Sequence, residues 1–119
     1  MIALELPWPH KHLSPNARVH WAQKAKAVKA ARLQVMRLCD WSRQVELRGM
    51  FKPDIGPRVA YTFYPKDRRR RDLDNLIAST KGWSDELAHI IGIDDSKFRL
   101  SYELGPVCKE AYVIVTVST

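Results

Sequence analysis

The chain has 119 residues, enough for one hydrophobic core and too few for two, so residues 1–119 are expected to form a single domain with one dominant site. Twenty Lys and Arg against thirteen Asp and Glu leave a formal charge of +7, with a pI near 9.7. That balance favours a polyanionic partner over a small neutral ligand.

No apolar run approaches the roughly 18 residues that span a bilayer, and the opening from Met1 to Pro7 lacks the basic start and small-residue cleavage site of a signal peptide. Cys39 and Cys108 have neither metal-ligand nor disulfide-framework spacing. The expectation is a reduced, cytoplasmic protein with no membrane partner.

In chain order, Ile2 to Leu6 alternate apolar and polar as a short strand, and Pro7-Trp8-Pro9 stops it. His10 to Asn16 reads as an irregular loop. From about Val19 to Cys39 good helix formers dominate. Trp21, Ala25, Val28, Ala31, Leu33, Val35, Met36 and Leu38 give a loose apolar face opposite Lys24, Lys26, Lys29, Arg32 and Arg37, the pattern of a basic amphipathic helix.

Val45 to Phe51 and Val59 to Tyr64 read as two strands joined by a loop over Lys52 to Pro57. Leu76, Thr80, Trp83, Leu87, Ile90 and Ile91 recur at spacings of three and four, so a second helix is expected from about Asp74 to Ile91, weakened by Gly82 and ended by Gly92. Phe98 to Leu104 and Ala111 to Thr119 complete the set as strands. The order β-α-β-β-α-β-β predicts an α+β domain: a small mixed sheet with two main helices packed on one face.

The run from Asp67 to Asn75 carries the chemistry. Arg68, Arg69, Arg70 and Arg71 suit phosphate, whereas Asp72 and Asp74 repel it unless a divalent cation stands between them and the polyanion. Two residues apart, the aspartates share a face on a strand and diverge by about 200° on a helix, so they act together only at a strand end or helix entrance. Asp94 and Asp95 follow the second helix and can return a third carboxylate. Oxygen-only ligation suits Mg²⁺ or Mn²⁺ rather than Zn²⁺.

Each feature alone has an ordinary explanation. Asp72 or Asp74 can simply cap the helix, Asp94-Asp95 can be turn chemistry, and four arginines can be a solvated edge. His10, His12, His20 and His89 have no metal-ligand spacing, and Trp21, Trp83 and the tyrosines read as core rather than base-stacking platforms. The joint occurrence of the Asp72/Asp74 pair, the arginine run and the Asp94-Asp95 pair around one helix in a basic domain points to phosphodiester chemistry on nucleic acid.

The segment from Asp67 to Leu76, followed about twenty residues later by Asp94-Asp95, resembles the signature of RusA-type Holliday junction resolvases. Leu6-Pro7-Trp8-Pro9 followed by Ser14-Pro15-Asn16 is similar to the opening of the same family. The resemblance implies a small homodimeric, Mg²⁺-dependent endonuclease, common in phages and prophages, that nicks opposed strands of a four-way DNA junction. It puts the catalytic aspartates at Asp72, Asp74 and Asp95. The family's catalytic lysine falls on Ala78, and Lys81, one helical turn further, is the candidate substitute.

The expected mechanism has Asp72, Asp74 and Asp95, with Asp94 beside them, holding Mg²⁺ while Lys81 stabilises charge on the phosphate. The four arginines, Lys24, Lys29 and Asn16 would contact the DNA. Two alternatives stand beside it: a non-catalytic basic DNA-binding protein, and a less selective metal-dependent nuclease for branched DNA.

Overall fold

In the computed structural model, which describes residues 1–52 and 54–119, the chain forms a four-stranded mixed sheet with helices on one face. Pro53, part of the expected Lys52–Pro57 loop, lies outside the described residues. The elements in order are β1 (Ile2–Pro7), α1 (Trp21–Leu38), α2 (Trp41–Met50), β2 (Arg58–Tyr64), α3 (Leu73–Ser79), α4 (Lys81–Ile91), β3 (Arg99–Leu104) and β4 (Tyr112–Ser118). Single 3-10 turns occupy Lys11–Leu13 and Asp95–Lys97.

The sheet order is β1-β4-β2-β3. β4 runs antiparallel to both of its neighbours, and β2 and β3 are parallel, joined by the crossover through α3 and α4. Period-two alternation sends Ile2, Leu4 and Leu6 of β1, Val59, Tyr61 and Phe63 of β2, and Val113, Val115 and Val117 of β4 to one buried face. Ala27, Ala31 and Val35 of α1 and Trp83, Leu87, Ile90 and Ile91 of α4 complete this core. The α+β class, the mixed sheet and its one-sided cover match the sequence reading.

Three expectations are corrected. Val45–Phe51 is not a strand: α2 covers Trp41–Met50, with the Asp40 carboxylate capping it by accepting from the Arg43 N–H at 2.9 Å. Val45 is exposed and Leu47 fully buried, an opposition that residues two apart adopt on a helix and not on a strand face. The expected order therefore loses a strand and gains a helix.

The expected Asp74–Ile91 helix is two helices, broken at Thr80, whose hydroxyl donates to the Ile77 carbonyl at 2.7 Å while its N–H also turns back to Ile77. The break is at Thr80 and not at Gly82, which instead lets α4 approach α1: a Cβ there would sit 3.4 Å from both the Ala31 Cβ and the Val28 carbonyl oxygen. Finally, Trp21 is 76% exposed and outside the core, since the buried stripe of α1 is only Ala27, Ala31 and Val35.

Trp83 is buried as expected, with its indole N–H donating to Gln34 at 3.0 Å. Gly92 ends α4 in the left-handed region at φ 81°, which a residue without Cβ adopts freely. Both cysteines are free thiols.

Candidate nucleic-acid interface and carboxylate cluster

β2 ends at Tyr64, well short of the aspartates, so the arginine run forms the loop between β2 and α3. A clasp fixes that loop. Asp67 Oδ1 accepts from the Arg69 N–H and from Arg71 Nη2, each at 2.9 Å, and Arg71 Nη1 donates to the carbonyls of Asp67 and Arg69 at 3.0 and 2.8 Å. The Arg71 guanidinium also lies 5.6 Å from the centre of the Trp8 ring, within cation–π range. The Arg69 N–H and then the Arg71 guanidinium hold the Asp67 carboxyl below the usual carboxylate range.

Arg71 is thus spent on shaping the loop, leaving 17% of its side chain exposed. Arg68, Arg69 and Arg70 are exposed, and their guanidinium groups donate to no protein group among the described residues. Lys24 and Lys29 are exposed on α1, and Asn16 is exposed in the loop before it.

Asp72 is the N-cap of α3, its carboxylate accepting from the Asp74 N–H at 3.0 Å. It also borders a cleft lined by Trp8, Lys11, Ser14, Arg71 and Asn75, where the amino-terminal loop meets the arginine loop. Asp74, in the first turn of α3, is exposed, and its carboxylate accepts no bond among the described residues. The two aspartates sit at a helix entrance, one of the two settings in which their spacing lets them act together.

The other acids gather elsewhere. Lys81 opens α4, and its ammonium bridges Asp85, at 2.9 Å, and Asp95. Asp95 first and Asp85 second raise the Lys81 pKa above its ordinary value; conversely, Lys81 is the main cause that lowers the Asp95 carboxyl below its own. Asp94 is exposed and caps the 3-10 turn by accepting from the Ser96 N–H at 3.2 Å.

Among the described residues no three His, Cys, Asp or Glu side chains are grouped so as to hold a metal ion. Asp72 and Asp74 lie at the start of α3, and Asp95 pairs with Lys81 beyond its end. The oxygen-only donor set suits Mg²⁺ in chemistry but is not assembled in placement. Ala78, where the resemblance expects a lysine, is exposed on α3. The one-turn relation from Ala78 to Lys81 is interrupted by the helix break at Thr80, so Lys81 is set by α4 and turns to Asp85 and Asp95.

Sequence reasoning missed Asp85 and the loop-shaping pair Asp67 and Arg71. The i,i+4 spacing of Lys81 and Asp85 on one helix was the available signal for the first. The second had none, because it depends on where the loop folds back.

No family model matches the chain. Over 102 residues it is 45% identical to an uncharacterized protein of Xylella fastidiosa (strain Temecula1), an alignment that takes in 82% of this chain. The chain spans 63% of the length of that relative. Among the described residues no helix is long and apolar enough to cross a membrane.

Proposed function

We propose that this chain is a cytoplasmic DNA endonuclease of the RusA type, acting as a homodimer on four-way junctions and depending on Mg²⁺ or Mn²⁺. One observation carries the reading. Three exposed arginines, whose guanidinium groups donate to no protein group among the described residues, stand on a braced loop that leads through Asp72 into the first turn of α3, where Asp74 is an exposed carboxylate that accepts no bond among the described residues. Solvated edges do not need a brace, and helix capping is already done by Asp72.

On this reading Arg68, Arg69 and Arg70 donate to phosphate oxygens, and Lys24, Lys29 and Asn16 extend the contact along α1 and the loop before it. These contacts fix position on the backbone without reading bases. Lys11 and Ser14, across the cleft from Asp72, are further donors within reach of a bound strand. Asp72, Asp74, Asp94 and Asp95 are assigned to the metal by donor chemistry alone. Among the described residues of one chain these four carboxylates are not grouped around a common point.

That same lack of grouping favours a second reading, a DNA-binding protein that does not cut. Nicking of a labelled four-way junction and of linear duplex, with Mg²⁺ or chelator and at two salt concentrations, separates the two. The endonuclease reading expects Mg²⁺-dependent nicks in the junction. Binding that is equal in chelator, with no cleavage under any condition, supports the second reading and overturns the first.

A further inference from the structure

A second cavity adjoins the cleft that borders Asp72. It lies between the amino-terminal loop and α1, has a volume of about 360 Å³, and shares His10 with the cleft as a common wall. That volume falls at the lower end of the roughly 300–1,000 Å³ of small-molecule sites. The floor is apolar, made by the buried side chains of Leu13, Ala27 and Ala31. None of the residues given to the DNA backbone above lines it.

The polar groups around that floor are donors. Gln34 is half-buried, and its Oε1 accepts from the buried Trp83 indole N–H at 3.0 Å, which fixes Nε2 as the donor end of the amide. Nε2 itself bonds no protein group among the described residues. His10 Nδ1 accepts from the His12 N–H at 3.1 Å, so the proton-bearing nitrogen of that imidazole is Nε2. Lys26, exposed at the rim, adds an ammonium that forms no ion pair among the described residues.

The two imidazoles add a requirement of shape. Their centres are 4.5 Å apart and their planes are inclined at 68°, so a flat ligand stacked on one ring meets the other edge-on. Desolvation first, then His10 and Lys11, lower the His12 pKa, so that ring is uncharged at neutral pH.

We propose that this cavity receives one nucleobase that has left the DNA stack, while its sugar-phosphate lies in the adjoining cleft. Base and phosphate are neighbours within one nucleotide, as cavity and cleft are neighbours across His10. Stacking on imidazole, with hydrogen bonds along the base edge, is how proteins hold an unstacked base. Donors outnumber acceptors on the wall, so the carbonyl-bearing edges of thymine and guanine fit it. Adenine, which sets an amino donor beside its ring nitrogen, fits less well.

The inference rests on the nucleic-acid reading of the proposed function and deepens it. Arg68, Arg69 and Arg70 are there matched to backbone alone, whereas this cavity contacts a base. An unpaired base costs least to extrude, so the cavity favours distorted or branched DNA over intact duplex.

The test is run in chelator, so that cleavage plays no part. Affinity is measured for a duplex carrying one extra unpaired thymine, guanine or adenine, for the same duplex with an abasic site there, and for the fully paired duplex. Unpaired thymine or guanine is expected to bind at least about 10-fold more tightly than abasic or paired DNA, with adenine between them. Ala30→Phe fills the cavity from an exposed position on its wall and is expected to abolish the preference, with paired-duplex affinity and melting temperature unchanged. Lys26→Met removes one donor at the rim and is expected to narrow the preference. In parallel, dTMP and dGMP titrated into the chain without DNA are expected to shift the NMR signals of the Gln34 side-chain amide.

Equal affinity for all the DNAs, or a preference that survives Ala30→Phe, overturns the base site while leaving duplex binding intact. If no DNA binds, the proposed function fails and the nucleotide titration alone decides the cavity. A shift at Gln34 then keeps it as a site for the free nucleotide, and an unshifted amide overturns it.

Discussion

Asp72 caps α3 and, in the proposed function, is also assigned to the metal, and substitution separates the two. Asn keeps an oxygen that caps α3, whereas Ala leaves the Asp74 N–H without its partner. Asp72→Ala is expected to cost about 1 kcal/mol and Asp72→Asn a few tenths, by chemical denaturation. Both are expected to lose nicking, and full activity in Asp72→Asn would assign this residue to capping alone.

The Lys81 bridge gives a pH signature of defined sign. Asp95 has its folded pKa lowered, so its contribution is present above the unfolded value of about 3.9 and is lost as pH falls through the folded value. Lys81 has its pKa raised, so its contribution is full below about 10.4 and is lost as pH rises through the folded value. With 67% of the Lys81 side chain exposed, each is expected to stay within about 1 kcal/mol. Lys81→Met is expected to move the Asp95 carboxyl back up towards the ordinary range in a carboxyl NMR titration. An unmoved Asp95 would remove Lys81 as the cause.

At the scale of elements, the strongly periodic parts were legible in the sequence. β1, β2 and β4 follow their alternation to within a residue or two, and α4 buries Trp83, Leu87, Ile90 and Ile91. α2 was not legible as a helix because short apolar alternation around Val45 and Leu47 mimics a strand, and of its deciding features only the Asp40 cap is local; the other, the bond from Arg48 Nε to the Ile90 carbonyl at 2.7 Å, is a long-range contact that ties α2 to the end of α4.

The helix break at Thr80 was hidden because the apolar spacing runs through it. At the site, capping by Asp72 was readable from spacing, while the pairing of Asp95 with Lys81 depends on how the turn after α4 returns to the start of that helix. The tight approach of α4 to α1 gives a clean test. Gly82→Ala is expected to be close to neutral, since the added Cβ meets ordinary contacts, and Gly82→Leu to cost about 1–3 kcal/mol by forcing the helices apart. Equal melting temperatures for the two variants would contradict this packing.

For the whole molecule, the charge of +7 makes any binding to DNA strongly dependent on salt. Each of Arg68→Ala, Arg69→Ala and Arg70→Ala is expected to weaken junction binding and lower the slope of log affinity against log salt by about 1, with little effect on stability. Arg71→Ala should differ, because it unties the loop and displaces its neighbours with it. An unchanged slope in all three of the first set would remove the arginine loop from the DNA interface.

Binding of this kind is common to cutting and non-cutting proteins, and on the proposed function Asp74 is the residue whose substitution tells them apart. Asp74→Asn removes one negative charge from an exposed group whose carboxylate accepts no bond among the described residues. The most direct measurement is nicking of a labelled four-way junction in Mg²⁺ by the wild-type chain and by Asp74→Asn, with binding measured in parallel. The expected result is Mg²⁺-dependent nicking that falls by at least about 100-fold in the variant while binding is kept or strengthened. Nicking by Asp74→Asn at the wild-type rate would contradict the assignment.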